Sequence, residues 1–190
     1  SAQEFFLTSS RDYYIDRYMK LLAEAKKELS IPVIASISAK DMDSWVDYAE
    51  RFIACGADAI ELNYYPISSD KDVPGSEVDR KAIEFARTAR ERIKGPLSIK
   101  IGYKYSSLAN MISSFEKAGI DGIVLFNRFF RPDIDIEKLE FTSASPASSP
   151  DEYAEALRWI GLMSGEGGID FCGNTGIHSG CPRCGAPGPA

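Results

Sequence analysis

Lys100 sits between two isoleucines, in Leu97-Ser98-Ile99-Lys100-Ile101, and its chemistry needs explaining more than that of any other residue in this chain. A run this apolar is a buried strand, so the ammonium points either toward packed helices or toward whatever the other face of the sheet encloses. Unpaired there it would be costly, and it therefore demands an anionic or hydrogen-bonding partner. A bound anion or cofactor is the economical one. A strand lysine can also form a Schiff base with a carbonyl substrate, as in aldolase-like lyases. Three more polar residues stand in or close apolar runs: Ser36 in Val33-Ile34-Ala35-Ser36-Ile37, Asn63 at the end of Ala59-Ile60-Glu61-Leu62-Asn63, and Asn127 at the end of Gly122-Ile123-Val124-Leu125-Phe126-Asn127. Taken singly, each of the three reads as a strand-terminal residue satisfied by neighbouring backbone. They gain weight together if the four runs lie side by side.

The segments between these runs read as helices. From Arg11 to Glu28, Ile15, Met19, Leu21, Leu22 and Ala25 share one side of a helical wheel. After the first strand, Asp43 or Ser44 can cap a helix in which Trp45, Ala49, Phe52 and Ile53 recur at helical spacing until Gly56 stops it. A Tyr/Ser/Asp-rich loop from Tyr64 to Ser76 leads to a helix ending near Ile93, then Gly95-Pro96 and the lysine strand. Leu108, Met111, Ile112 and Phe115 mark the next helix, and Gly119 precedes the fourth strand. Residues Arg128 to Ser149 read as irregular, followed by a helix from about Pro150 and a fifth strand at Ile169-Asp170-Phe171-Cys172. Strict alternation of this kind predicts an α/β fold with a parallel sheet and helical crossovers.

An internal echo favours a barrel over an open doubly wound sheet. Cys55-Gly-Ala-Asp-Ala-Ile-Glu-Leu-Asn63 resembles Ala118-Gly-Ile-Asp-Gly-Ile-Val-Leu-Phe-Asn127, about two strand–helix units apart. No Gly-x-Gly-x-x-Gly turn of the dinucleotide-binding kind occurs. The expectation is a partial TIM (β/α)8 barrel of about five parallel strand–helix units, and since five strands cannot close an eight-stranded ring, the chain reads as a fragment. In such a barrel the chemistry gathers at the carboxyl ends of the strands, where Ser36, Asn63, Lys100 and Asn127 fall.

With 44% hydrophobic and 26% charged residues over 190 positions, the composition is that of a soluble globular protein. The 22 basic and 28 acidic residues give a formal charge of −6 with no basic stripe, which argues against nucleic acid as a partner. No apolar run is long enough to cross a bilayer and no signal pattern opens the chain, so the expected location is cytoplasmic, away from any membrane. The four cysteines do not form a disulfide framework.

Taken in order, Pro32-Val-Ile-Ala-Ser-Ile37, Trp45, Gly56-Ala-Asp-Ala-Ile-Glu-Leu-Asn63, Ser98-Ile-Lys100, Gly119-Ile-Asp-Gly-Ile-Val-Leu-Phe-Asn127, Leu157-Arg-Trp-Ile160 and Gly173-Asn-Thr-Gly-Ile177 resemble dihydroorotate dehydrogenases over roughly residues 10 to 180. Phe126-Asn-Arg-Phe-Phe-Arg-Pro-Asp-Ile-Asp-Ile-Glu137 is similar to the branch labelled dihydroorotate dehydrogenase-like. The resemblance implies an FMN-dependent oxidoreductase acting on the CH–CH bond of a dihydropyrimidine-like, orotate-like small molecule in pyrimidine metabolism, with a homodimer as a form open to the intact parent. It implies that Asn63, Lys100 and Asn127 lie at flavin and substrate positions, with Ser36 near the ring. A fixed cation such as Lys100 would stabilise the negative charge of the reduced ring. Asparagines, which both donate and accept, suit the imide edges of flavin and orotate alike. Gly173, Thr175 and Gly176 resemble one phosphate-binding turn of the family.

The chain departs from that family where its base should stand. The pattern has Cys or Ser in a Ser-Cys-Pro or Ser-Ser-Pro context, and here the residues are Tyr64-Tyr65-Pro66. A tyrosine hydroxyl at Tyr65 is one substitute, and Ser68 or Ser69 of the same loop are others; loop closure could bring one into place. His178 reads as a residue shaping the glycine turn. Cys181-Pro-Arg-Cys184 is half of a zinc knuckle without a second half, so no metal is expected, and residues 181–190 read as a disordered or non-native tail beyond an incomplete FMN-binding barrel domain at 1–180. A truncated barrel without catalytic activity is the remaining alternative.

Overall fold

Alternating apolar and polar residues along short strands give each strand one face for helices and one face for something else. In the computed structural model, which describes residues 2–128, 132–143 and 148–178, the elements run α1 (Ala2–Glu28), β1 (Ile34–Ile37), α2 (Met42–Ala54), β2 (Ala59–Asn63), α3 (Gly75–Arg92), β3 (Leu97–Ile101), α4 (Leu108–Lys117), β4 (Gly122–Leu125), β5 (Pro132–Asp135), β6 (Glu140–Ser143), a 3-10 turn at Pro150–Glu152, α5 (Tyr153–Met163) and β7 (Asp170–Gly173). Strands β1, β2, β3, β4 and β7 pair in parallel in that order. The order never reverses, so right-handed crossovers place every connecting helix on the same face. This is the winding of a barrel, and it settles the choice against a doubly wound sheet. Among the described residues β1 and β7 each pair on one side only.

The helix-facing side is the core. Ile60 and Leu62 of β2, Leu97, Ile99 and Ile101 of β3, and Ile123 and Leu125 of β4 are fully buried against Trp45, Ala49 and Phe52 of α2, Ala82, Ala86 and Ala89 of α3, and Met111, Ile112 and Phe115 of α4. The alanines recur at spacings of four and three, one stripe of the helix, and let α3 approach the sheet closely. Asp41, not Asp43 or Ser44, caps α2: its carboxylate accepts from the Ser44 amide at 2.8 Å and the Ser44 hydroxyl at 3.0 Å.

The internal echo proves to be a tie at the amino ends of the strands. Gly56 and Gly119 both end helices at positive φ, +98° and +88°. The aspartate two residues later then turns back to the preceding strand. The Asp58 amide donates to Val33 O at 2.9 Å while its Oδ2 accepts from Val33 N at 2.6 Å and from Lys26 Nζ at 2.7 Å. Asp121 repeats the device on Leu97, with its amide at 2.9 Å from Leu97 O, its Oδ2 at 2.8 Å from Leu97 N, and Arg90 as the cation at 3.3 Å. Each clamp fixes the register of one strand pair, and so fixes which residues reach the opposite, carboxyl end.

One stretch differs from the sequence reading. Within Arg128 to Ser149, β5 and β6 form an antiparallel hairpin in which Ile134 lies opposite Phe141 and Asp133 opposite Thr142. Pro132 and alternating aspartates are poor strand formers, and the hairpin pairs outside the main sheet where no apolar run announces it. Cys181, Cys184 and the rest of the expected tail lie outside the described residues. No described helix is long and apolar enough to cross a membrane.

Candidate functional site

The sheet face turned away from the helices carries Ser36, Glu61, Asn63, Ser98 and Lys100 on three neighbouring strands. Register puts Ser36 beside Glu61 and Asn63 beside Lys100. A (β/α)8 barrel ordinarily fills this interior with layers of branched aliphatic side chains. Here the carboxyl half of three strands is polar, which calls for a polar occupant.

Lys100 has an ionic partner within the chain. Its Nζ lies 2.7 Å from Glu61 Oε1, with only 17% of the lysine side chain and 14% of the glutamate side chain exposed. Ser36 Oγ donates to the same oxygen at 2.5 Å. The cost of burying the ammonium is therefore met by a carboxylate, and that cost alone does not call for a bound anion. Glu61 is the residue the sequence reading passed over. Its signal was the same as that of Lys100, a charge inside an apolar strand, two positions before Asn63.

At the carboxyl rim Asn127 Nδ2 donates to Asn63 Oδ1 at 2.5 Å, bridging the ends of β2 and β4 over β3. This pair opens on a cleft of about 520 Å³ shared with Trp45, Tyr64, Tyr65 and Lys40. Tyr64 stacks on Phe85 with ring centroids 4.3 Å apart, which anchors the start of the β2–α3 loop in the core. Tyr65 is half-buried and also lines a neighbouring cleft of about 370 Å³, which Ser68, Asp79 and Tyr105 share. Ser68 is exposed there and does not line the cleft of the asparagine pair. Burial, with a smaller contribution from Tyr103, pushes the Tyr65 phenol above its ordinary value, so at neutral pH it is a donor rather than a base.

The turn after β7 is held mostly by the fold. Asn174 N donates to Leu125 O, Asn174 Nδ2 to Phe126 O at 3.1 Å, and Gly176 N to Ser148 Oγ at 3.0 Å. Two of the turn's amides are thus engaged internally. Gly176 has φ +73° and faces the start of α5 so closely that a Cβ would lie 2.4 Å from Tyr153 N. Thr175, also at positive φ, borders a cleft of about 480 Å³ with Asn127 and Arg128, whose guanidinium lies 3.2 Å from Glu152. Gly173 ends β7 in register with Leu125. His178 Nε2 lies 3.2 Å from Ser148 Oγ, within the same turn. Cys172 is on the polar inner face, across β4 from Lys100, and burial raises its thiol, with Glu61 adding to the effect and Lys100 opposing it. Among the described residues no group of three or more His, Cys, Asp or Glu side chains could hold a metal.

The chain is similar in sequence to dihydroorotate dehydrogenases. The catalytic subunit of dihydroorotate dehydrogenase B (NAD(+)) from Anoxybacillus flavithermus is 24% identical over 173 residues, covering 88% of this chain and 54% of that protein. The corresponding subunit from Geobacillus sp. (strain WCH70) is 25% identical over 157 residues, 80% of this chain and 50% of that protein. The chain spans about half the length of the curated relatives it matches. No family model matches it. Among solved structures, a dihydrodipicolinate synthase family protein from Coccidioides immitis superposes with a TM-score of 0.51 at 14% identity, over 85% of this chain and 44% of that one. A phosphonopyruvate hydrolase gives 0.50 at 18% identity, over 86% and 61%. These likenesses speak to the fold, an arc of a TIM barrel.

Proposed function

We propose that this chain forms part or all of a cytoplasmic FMN-dependent oxidoreductase of the dihydroorotate dehydrogenase type, acting on the CH–CH bond of a dihydropyrimidine-like substrate in pyrimidine metabolism. The observation that carries this reading is the polar inner face, with Ser36, Glu61 and Lys100 hydrogen-bonded across three strands and the Asn63–Asn127 pair above them. The sequence likeness to dihydroorotate dehydrogenases supports it.

The residues fit the ring half of FMN. Lys100 supplies an ammonium beneath the rim, held and partly offset by Glu61, and the asparagine pair keeps donor and acceptor atoms for an imide edge after satisfying one bond between themselves. They fit the phosphate half less well, because the Gly173–Gly176 turn has already committed two amides. When bound, FMN supplies a two-electron acceptor that takes the substrate hydrogen as hydride. The protein's share is to hold both rings at the strand ends, to place positive charge where negative charge develops, and to remove a C–H proton. For that proton the β2–α3 loop offers Tyr65 and Ser68, and burial of Tyr65 means proton removal through it would increase as the solution becomes alkaline.

Titration of FMN against the protein, followed by flavin fluorescence, tests the reading. The 190-residue chain is expected to bind weakly and Lys100→Met more weakly still. Equal binding by the variant would remove this reading, and covalent trapping of a 2-oxo acid on Lys100 by borohydride would replace it with the lyase alternative.

A further inference from the structure

The side chain of Lys100 does not extend straight out from its own level of the sheet. Its Cα is in register with Asn63, yet its ammonium bonds to Glu61, two residues nearer the amino end of β2, a step of roughly 6–7 Å along the strand. Glu61 is in turn the register partner of Ser36 on β1, whose hydroxyl bonds to the same carboxylate oxygen. One oxygen therefore receives a serine from one neighbouring strand and a lysine from the other. A glutamate side chain has several rotatable bonds, and two donors converging on one of its oxygens fix it far better than one.

We propose that Glu61 is a positioning residue for Lys100, and Ser36 for Glu61, so that the three form a relay which draws the ammonium back from the carboxyl rim and offsets its charge. The inference rests on reading the inner face as the site of chemistry, but the relay itself is defined by the chain alone. Its consequence is that whatever binds at the rim meets a held, partly neutralised ammonium and not a free cation. Glu61→Gln would release the lysine toward the rim and leave its charge unbalanced.

Cys172 provides an independent sensor, because its thiol lies in the field of the pair, with Glu61 raising it and Lys100 lowering it. Two peptide-resolved labelling rates on the flavin-free chain test the proposal: acylation of lysines by acetic anhydride and alkylation of cysteines by iodoacetamide, both read by mass spectrometry at fixed pH. In Glu61→Gln, acylation of Lys100 is expected to rise several-fold relative to exposed lysines, with a smaller rise in Ser36→Ala. Alkylation of Cys172 is expected to rise about twofold or more in Glu61→Gln and to fall by a similar factor in Lys100→Met, since the two charges act on the thiolate with opposite sign.

A general loosening of the sheet would move Cys172 in the same direction in both variants. Same-direction changes, or unchanged Lys100 acylation in Glu61→Gln, overturn the relay. Opposite changes in a chain that shows no response of FMN binding to Lys100→Met would uphold the relay and remove the functional reading, so the two fail separately.

Discussion

Removing Lys100 should destabilise the fold, and removing Glu61 with it should restore most of the loss. The pair is mostly buried, at 17% and 14% side-chain exposure, which places it between two known limits. Exposed pairs contribute about 0–1 kcal/mol. Breaking a fully buried pair costs about 3–5 kcal/mol, because one charge is left desolvated and unpaired. In Lys100→Met the packing of the stem is kept and Glu61 retains the Ser36 hydroxyl, so the expected cost is about 2 kcal/mol. In Lys100→Met combined with Glu61→Leu no charge remains to be desolvated, and stability should lie within about 1 kcal/mol of the starting protein. Urea unfolding followed by circular dichroism gives the numbers. With a slope near 2 kcal/mol per molar, the single variant moves the midpoint down by about 1 M and the double variant by less than half of that, at unchanged slope. A double variant that loses the sum of the two single losses would show that the charges are not coupled, and the geometry of the inner face would have to be redrawn.

Three further outcomes are expected. Gly176→Ala should cost about 2–3 kcal/mol in the same assay, since its Cβ would sit 2.4 Å from Tyr153 N, while Gly95→Ala, at φ +87° with nothing within 4 Å, should cost only the left-handed conformation, about 1 kcal/mol; equal losses would contradict the packing described for the turn. Burial raises the phenols of Tyr64, Tyr65 and Tyr105, so above pH 10 the unfolded chain releases these protons first and stability falls as pH rises, which alkaline unfolding monitored at the tyrosinate band would register; constant stability from neutral pH to well above 10 would refute it. Phe141 and Leu139 of the β5–β6 hairpin are 86% and 84% exposed, so the chain should self-associate with rising concentration in sedimentation, and Phe141→Ser should weaken that association; a wild-type monomer at high concentration would argue against it.

The strand–helix alternation was readable because the apolar runs are short, unbroken and separated by glycine stops, and all five strands of the main sheet fall within a residue or two of their expected places. The echo around Asp58 and Asp121 was visible as a repeat, but its meaning was not. Only in three dimensions does each aspartate meet the strand before its helix, at Val33 and Leu97, in a clamp remote from the rim where the repeat's asparagines lie. Lys100 stood out because a lone cation between isoleucines is anomalous. Glu61 carried the same anomaly, and it escaped because the partner of a charge is set by strand register, which a linear reading does not supply. The hairpin was hidden for a different reason: its strands are four residues long and hold one large apolar residue each, Ile134 and Phe141, among acidic and polar ones, so propensity does not favour them. The alternation Asp133-Ile134-Asp135-Ile136 was its faint signal.

If, as proposed, Asn63 and Asn127 at the rim and Lys100 beneath them hold a flavin that takes hydrogen from a dihydropyrimidine, that substrate must reduce the flavin directly. The measurement is to load the protein with excess FMN and add dihydroorotate in the absence of oxygen. The visible flavin absorbance is expected to bleach, and Lys100→Met to slow the bleaching by about a hundredfold, the scale of one lost electrostatic contact to developing charge. Flavin that stays oxidised in the presence of excess dihydroorotate, or that bleaches equally fast in Lys100→Met, would contradict it.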